Sequence, residues 1–114
     1  MNFKDGQAIY IQIAERLMDE IASGKYAVDE RIPGVRDYSG LLGVNVNTTV
    51  RAYDMLSAQD IIYTKRGMGY FVAANAVSLI KDMRRTEFFD HHLPAIAHRM
   101  RMLGIREDEL LNKL

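Results

Sequence analysis

The stretch Gly43-Val44-Asn45-Val46-Asn47-Thr48-Thr49-Val50-Arg51-Ala52-Tyr53 limits what this chain can fold into more than any other. Glycine supplies a tight turn that other residues resist. The helix expected after it opens on small polar side chains and carries an arginine one turn later. A helix whose N-terminal end enters the major groove of DNA is built in this way. The helix is expected over residues 46–59, with Asn45 as its N-cap. Two apolar stripes compete on it. Thr49, Ala52, Tyr53 and Leu56 follow the i, i+3, i+4, i+7 spacing, while Val46, Val50 and Tyr53 give an alternative. The first is preferred, because it turns Leu56 inward beside Ala52 and Tyr53. Val46, Asn47, Val50, Arg51 and Asp54 then lie on or beside the outward face.

That outward face carries a specific chemistry. Asn47 and Arg51 are four residues apart and share a helix face. Asparagine pairs with adenine and arginine with guanine, while Asn45 and Thr48 suit phosphate oxygens. Val46 and Val50 suit thymine methyl groups. The plain alternative is a surface helix whose polar groups are simply solvated.

Downstream, Ile61-Ile62-Tyr63-Thr64-Lys65-Arg66-Gly67-Met68-Gly69-Tyr70-Phe71-Val72 predicts a β-hairpin, with strands at residues 61–65 and 70–73. Lys65 and Arg66 at its tip can meet a phosphate backbone, and Gly67 and Gly69 allow close approach to a groove edge. The alternative is an ordinary charged turn. Upstream, Ile9, Ile13, Leu17 and Ile21 recur every four residues and predict an amphipathic helix stopped at Ser23-Gly24. A connector with a short extended stretch near Arg31-Ile32 leads to Pro33, and Val35, Tyr38 and Leu42 mark a short second helix ended by Gly43. Arg36 at its start is a candidate contact to phosphate or groove edge, the alternative being an ion pair with Asp37 or another acid.

After Ala74 the pattern is helical again. Val77, Ile80, Met83 and Phe88 are apolar, with Leu79 and Phe89 beside them. Pro94 either starts a new helix or kinks a continuous one, Gly104 stops it, and residues 107–114 form a last short helix with Leu110, Leu111 and Leu114 inward. A tail this short makes a poor core of its own. Its large apolar side chains are expected to meet a second copy, through Val77, Ile80, Met83, Phe88, Phe89, Leu93, Ile96 and Met100.

At 114 residues and 48% hydrophobic, the chain is one ordinary domain, or a small domain with an appendage, and has enough apolar content for a packed core. It contains no cysteine, which excludes disulfides and cysteine-based zinc sites. Met1-Asn2-Phe3-Lys4-Asp5-Gly6 lacks the apolar core of a signal peptide, and no apolar run approaches the ~20 residues that span a bilayer. The expectation is a soluble, cytoplasmic protein. Fifteen basic and fifteen acidic residues balance, so charge alone does not point to nucleic acid. Their distribution permits it: residues 38–53 and 61–81 contain no acid.

Enzyme signatures are missing. No Walker-type loop, HExxH pair or nucleophile elbow occurs, and Arg66-Gly67-Met68-Gly69-Tyr70 lacks the strand-to-helix setting of a nucleotide-binding loop. His91, His92 and His98 raise a metal reading, but adjacent histidines point to different sides of a helix and a closed site needs several convergent ligands. No catalytic residue, metal or cofactor is assigned.

The chain resembles the GntR family of bacterial transcription regulators over about its first two-thirds. The resemblance runs through Ala8-Ile9-Tyr10-Ile11-Gln12-Ile13, Ile32-Pro33-Gly34-Val35-Arg36, Leu42-Gly43-Val44-Asn45-Val46-Asn47-Thr48, Arg51-Ala52-Tyr53 and Arg66-Gly67-Met68-Gly69-Tyr70-Phe71-Val72, in order and spacing. The short tail, with Leu93-Pro94 and Leu103-Gly104-Ile105, is similar to the small YtrA-like branch. The resemblance implies a winged helix, a homodimer and a palindromic operator, with repression of transporter operons. It implies DNA contact by Arg36, entry of Gly67 at the wing tip into the minor groove, and a recognition helix beginning at Asn47-Thr48. The chain departs from the family at Val46, where many relatives carry arginine, at Val50, where some carry a second one, and at Gly34, where a serine is usual.

The expected fold is therefore mainly α (α+β): a winged helix-turn-helix over residues 1–74 and a helical dimerisation region over residues 75–114. The expected function is a dimeric repressor that binds double-stranded operator DNA, with no membrane partner and no assigned effector. The competing reading is a winged-helix protein-interaction module.

Overall fold

Helix α1, Ile9–Ala22, buries Gln12, Ile13, Ala14, Leu17, Met18 and Ile21 in the computed structural model, which describes residues 2–114. Ile9, the first member of the expected stripe, is 44% exposed. A four-residue spacing advances about 40° per step on a helix, so the ends of the stripe diverge by roughly 120°. Gln12 is buried, and both its amide hydrogens and its amide oxygen are hydrogen-bonded. It accepts from the Lys4 N–H at 2.7 Å and donates to the Lys4 and Gln7 carbonyls at 2.9 and 3.0 Å. The segment before α1 is thereby tied to it, and a buried polar group is satisfied.

Helix α2, Val35–Leu42, ends on Gly43 in the left-handed conformation, with φ 70° and ψ 39°. Its N-cap, Gly34, makes no side-chain cap bond. Helix α3, Val46–Ala58, begins at Asn45, whose side chain accepts from the Asn47 N–H at 2.8 Å. Thr49, Ala52, Tyr53 and Leu56 are all completely buried, so the preferred stripe is the one that faces the core. α3 packs on both α1 and α2. The turn is pinned by a buried hydrogen bond of 2.7 Å from the Ser39 hydroxyl to the Thr49 hydroxyl. Tyr53 joins a third element: its hydroxyl donates to the Pro33 carbonyl at 2.6 Å, and its ring meets Tyr70 edge-on at 4.9 Å.

Strands β1, Ile62–Lys65, and β2, Gly69–Val72, pair antiparallel with Lys65 opposite Gly69. The Met68 N–H donates to the Lys65 carbonyl across the turn, where Gly67 holds φ 75°. The extended stretch before Pro33 adds to the other edge of β2. Asp29 N–H bonds to Val72 O, Val72 N–H to Glu30 O, and Ile32 N–H to Tyr70 O, at 2.8 to 3.1 Å, with Arg31 facing Phe71.

The chain divides into two compact units, the first running to Lys81 and the second comprising Asp82–Leu114. Helix α4, Ala76–Glu87, begins in the first unit, where Ala76 and Ile80 are buried. In the second unit, a π-helical segment, Phe88–His92, leads into α5, Leu93–Leu103. Glu87 and His92 both keep right-handed helical dihedrals, so Pro94 sits in the first turn of α5 without breaking the helix. Proline has no N–H to offer the carbonyl four residues back. The wider π turns lie just where the α-ladder loses that donor. Gly104 then ends α5 in the left-handed conformation. Helix α6, Glu107–Lys113, closes the chain. The inward packing expected of Leu110, Leu111 and Leu114 is not made: they are 38%, 68% and 90% exposed.

Candidate nucleic-acid interface

The buried face of α3 decides which side chains it offers outward. With Thr49, Ala52, Tyr53 and Leu56 in the core, Asn47 and Arg51 are exposed, and Val46, Thr48 and Val50 are half-buried. Asn47, Thr48 and Arg51 come together along an open groove of about 440 Å³, whose other wall is Ala8, Ile9 and Tyr10 from the start of α1. The Arg51 guanidinium lies over the Tyr10 ring, 3.9 Å from its centroid. Asn45 is committed to the helix cap through its side-chain oxygen.

Arg36 is exposed in the first turn of α2. Lys65, Arg66 and Gly67 are exposed at the hairpin tip. Lys65 projects over the Phe71 ring with its ammonium 4.7 Å from the centroid. These cations belong to the same unit as α3. Two residues not singled out from the sequence also join the site. Tyr10 stands three, four and seven residues before the buried Ile13, Ala14 and Leu17, so it extends the face of α1 that packs on α3. Arg31 lies across the hairpin: a side chain on Gly69 would begin 3.0 Å from its Nε atom, and Gly69 itself has φ 106°. Neither partner is near in sequence, so no local pattern marks them.

The residues expected to pair two copies are distributed differently. Phe88, Phe89, Leu93 and Ile96 are 41%, 53%, 38% and 40% exposed in the single chain, and Val77 is 49% exposed. Met83 and Met100 are half-buried. Ile80 departs from that group: at 1% exposure it is already buried within one chain, because it falls one helical turn after the buried Ala76. Its surface is not available to a second copy.

Residues 9–72 match the model of the gntR family of bacterial regulatory proteins. The chain belongs to the GntR family. This GntR chain is 30% identical to the HTH-type transcriptional regulator YhcF of Bacillus subtilis, over 96% of its own length and 88% of that protein. It is 27% identical to the repressor YtrA of the same organism, over 77% of its length and 74% of YtrA. With the regulator YdcR of Escherichia coli it shares 38% identity over 63% of its length but spans only 15% of that larger protein. A GntR-family regulator from Bacteroides thetaiotaomicron has a similar structure, with a TM-score of 0.80 and 40% identity over 92% of this chain and 91% of that one. The DNA-binding domain of AraR, solved on its operator, superposes with a TM-score of 0.58 at 29% identity, over 64% of this chain and 88% of that domain. The chain thus has the winged helix-turn-helix fold of DNA-binding transcription factors, and its relatives are regulators rather than enzymes. Among the described residues, no helix is long and apolar enough to cross a membrane.

Proposed function

We propose that this chain is a dimeric repressor of the YtrA-like branch, acting in the cytoplasm on a palindromic operator. Residues 1–74 read DNA and residues 75–114 hold the dimer. The observation that carries the reading is the division of α3 into a wholly buried stripe and a face on which Asn47 and Arg51 stand exposed beside Thr48. A helix with one face locked in the core presents the other as a fixed surface, which base readout requires. Arg51 and Asn47 contact base edges, Val46 and Val50 meet thymine methyls, and Arg36, Asn45, Thr48, Lys65 and Arg66 hold the backbone. Gly67 brings the wing tip into the minor groove. In the AraR complex the related domain sits on its operator, which supports this assignment.

The dimer places two copies of α3 in successive major grooves, about 34–36 Å apart. Val77, Met83, Phe88, Phe89, Leu93, Ile96 and Met100 supply its contact surface, supported by the exposure of Val77, Phe88, Phe89, Leu93 and Ile96. YtrA, named a repressor and matched over most of its length, supports repression.

Fluorescence anisotropy on genomic or randomised fragments tests the proposal. Affinity is expected to fall about 10³-fold or more between ~50 and ~200 mM salt as phosphate contacts release counterions. The triple variant Arg36→Ala, Asn47→Ala, Arg51→Ala should lose binding and keep its oligomeric state. No binding of the wild-type chain at low salt would overturn the proposal and favour a protein-interaction module.

A further inference from the structure

The groove that receives Arg51 has its opposite wall on a different helix, and we infer that Tyr10 on that wall sets the base specificity of Arg51. Tyr10 is a positioning residue for DNA readout. This inference rests on the DNA-binding reading above and adds to it a residue outside the helix-turn-helix and the wing.

Three observations carry it. The Arg51 guanidinium carbon lies 3.9 Å from the centroid of the Tyr10 ring, close enough for the cation to rest on the aromatic face. Tyr10 and Arg51 line one groove with Asn47 and Thr48, so the stacked cation is held among the groups that would face base edges. The pair is also set by tertiary packing: α1 lies against α3, and the buried Ile13, Leu17, Ala52 and Leu56 fix both backbones.

The chemistry follows from the shape of guanidinium. Its donors lie in the plane of the group, so an aromatic ring against one face removes none of them. An unsupported arginine on an exposed helix face samples many rotamers and can reach donors and acceptors on neighbouring base pairs. One clamped on Tyr10 presents its donor edge from a fixed origin. Bidentate pairing with O6 and N7 of guanine is the contact that gains most from such fixing. Only the ring face is needed, so the phenolic hydroxyl is dispensable. Stacking that acted on stability alone would leave base preference unchanged.

Operator selection with the full chain separates these roles. Arg51→Ala first identifies the operator position that Arg51 reads, as the position whose preference flattens. Tyr10→Leu, which keeps an apolar wall, is expected to reduce discrimination at that same position about threefold to tenfold and to leave the others unchanged. Tyr10→Phe should match the wild type, and Tyr10→Leu added to Arg51→Ala should change nothing further at that position. A uniform loss of affinity in Tyr10→Leu overturns the inference, as does an unaltered preference, or a Tyr10→Phe variant that behaves like Tyr10→Leu. If Arg51→Ala flattens one position and Tyr10→Leu does not, the role of Tyr10 alone fails. If the wild type has no base preference, or Arg51→Ala leaves it intact, the reading role of α3 fails as well.

A second measurement needs no substitution. In the wild-type operator complex, the Arg51 δ protons should be displaced upfield by the Tyr10 ring current in NMR spectra. Unshifted resonances in the complex would overturn the inference.

Discussion

Ser39 and Thr49 place two hydroxyls in the core, where each is the other's partner at 2.7 Å. Their value lies mainly in what happens when one is removed. Thr49→Val keeps the shape of the side chain but leaves the Ser39 hydroxyl buried and unpaired, at an expected cost of about 1–3 kcal/mol. Ser39→Ala combined with Thr49→Val should recover most of that loss, because no orphaned group remains. Urea unfolding of the two single variants and the double variant measures the difference. A second residue-scale effect appears at high pH. Tyr38 is fully buried and donates its hydroxyl to Glu20, while Tyr53 donates to Pro33. Burial is the first cause that pushes both hydroxyls well above the ordinary tyrosine value, and the Glu20 carboxylate adds to it. The neutral form is the one the fold favours. The stability it contributes is complete below about pH 10, where unfolded tyrosine is still protonated, and falls as pH rises further because the unfolded chain releases protons first. Urea midpoints should therefore decline from ~pH 10 to ~pH 12, less steeply in Tyr38→Phe.

Among the elements, α3 depends most on its first residue. Asn45 satisfies the Asn47 N–H. Asn45→Ala is expected to destabilise the fold by about 1 kcal/mol, and Asn45→Gly by only a few tenths. Asn45→Asp should keep the cap and still weaken DNA binding, since it adds a negative charge beside a phosphate contact. Comparing thermal melts with anisotropy separates these two effects. Much at this scale is legible in the sequence. The stripe of Thr49, Ala52, Tyr53 and Leu56, the cap at Asn45, the left-handed Gly43 and the hairpin all follow from short-range rules of spacing and turn chemistry. The rest was not legible for physical reasons. The drift of α1 exposes Ile9. The stacking of Arg51 on Tyr10 joins residues on separate helices, and the crossing of Arg31 over Gly69 joins a connector to a turn. Such pairs are decided by packing, and no local periodicity encodes them.

For the whole molecule, the second unit has an excess of uncovered apolar surface. Besides Phe89 and Ile96, Met102 and Leu103 are 74% and 68% exposed. The sequence indicates that this segment is helical and apolar, and on the proposed reading a second copy supplies the surface that covers it. Its own packing could therefore not be derived from its own residues. Sedimentation equilibrium is expected to find a dimer, and Phe89→Glu with Ile96→Glu to give a monomer. The paired variant should lose far more affinity for a two-half-site operator than for a single half-site, because linkage supplies a high effective concentration for the second contact.

The π segment at Phe88–His92 has a consequence for how such a tail can change. A turn closed over five residues holds one residue more than an α turn, and each residue rotates a helix by about 100°. Everything after His92 is therefore out of phase with what precedes Phe88. Gaining or losing one residue within that segment would exchange one side of α5 for another, with hardly any change in composition. The tail can thus present a different apolar side by a shift in length, while the winged-helix unit is left untouched.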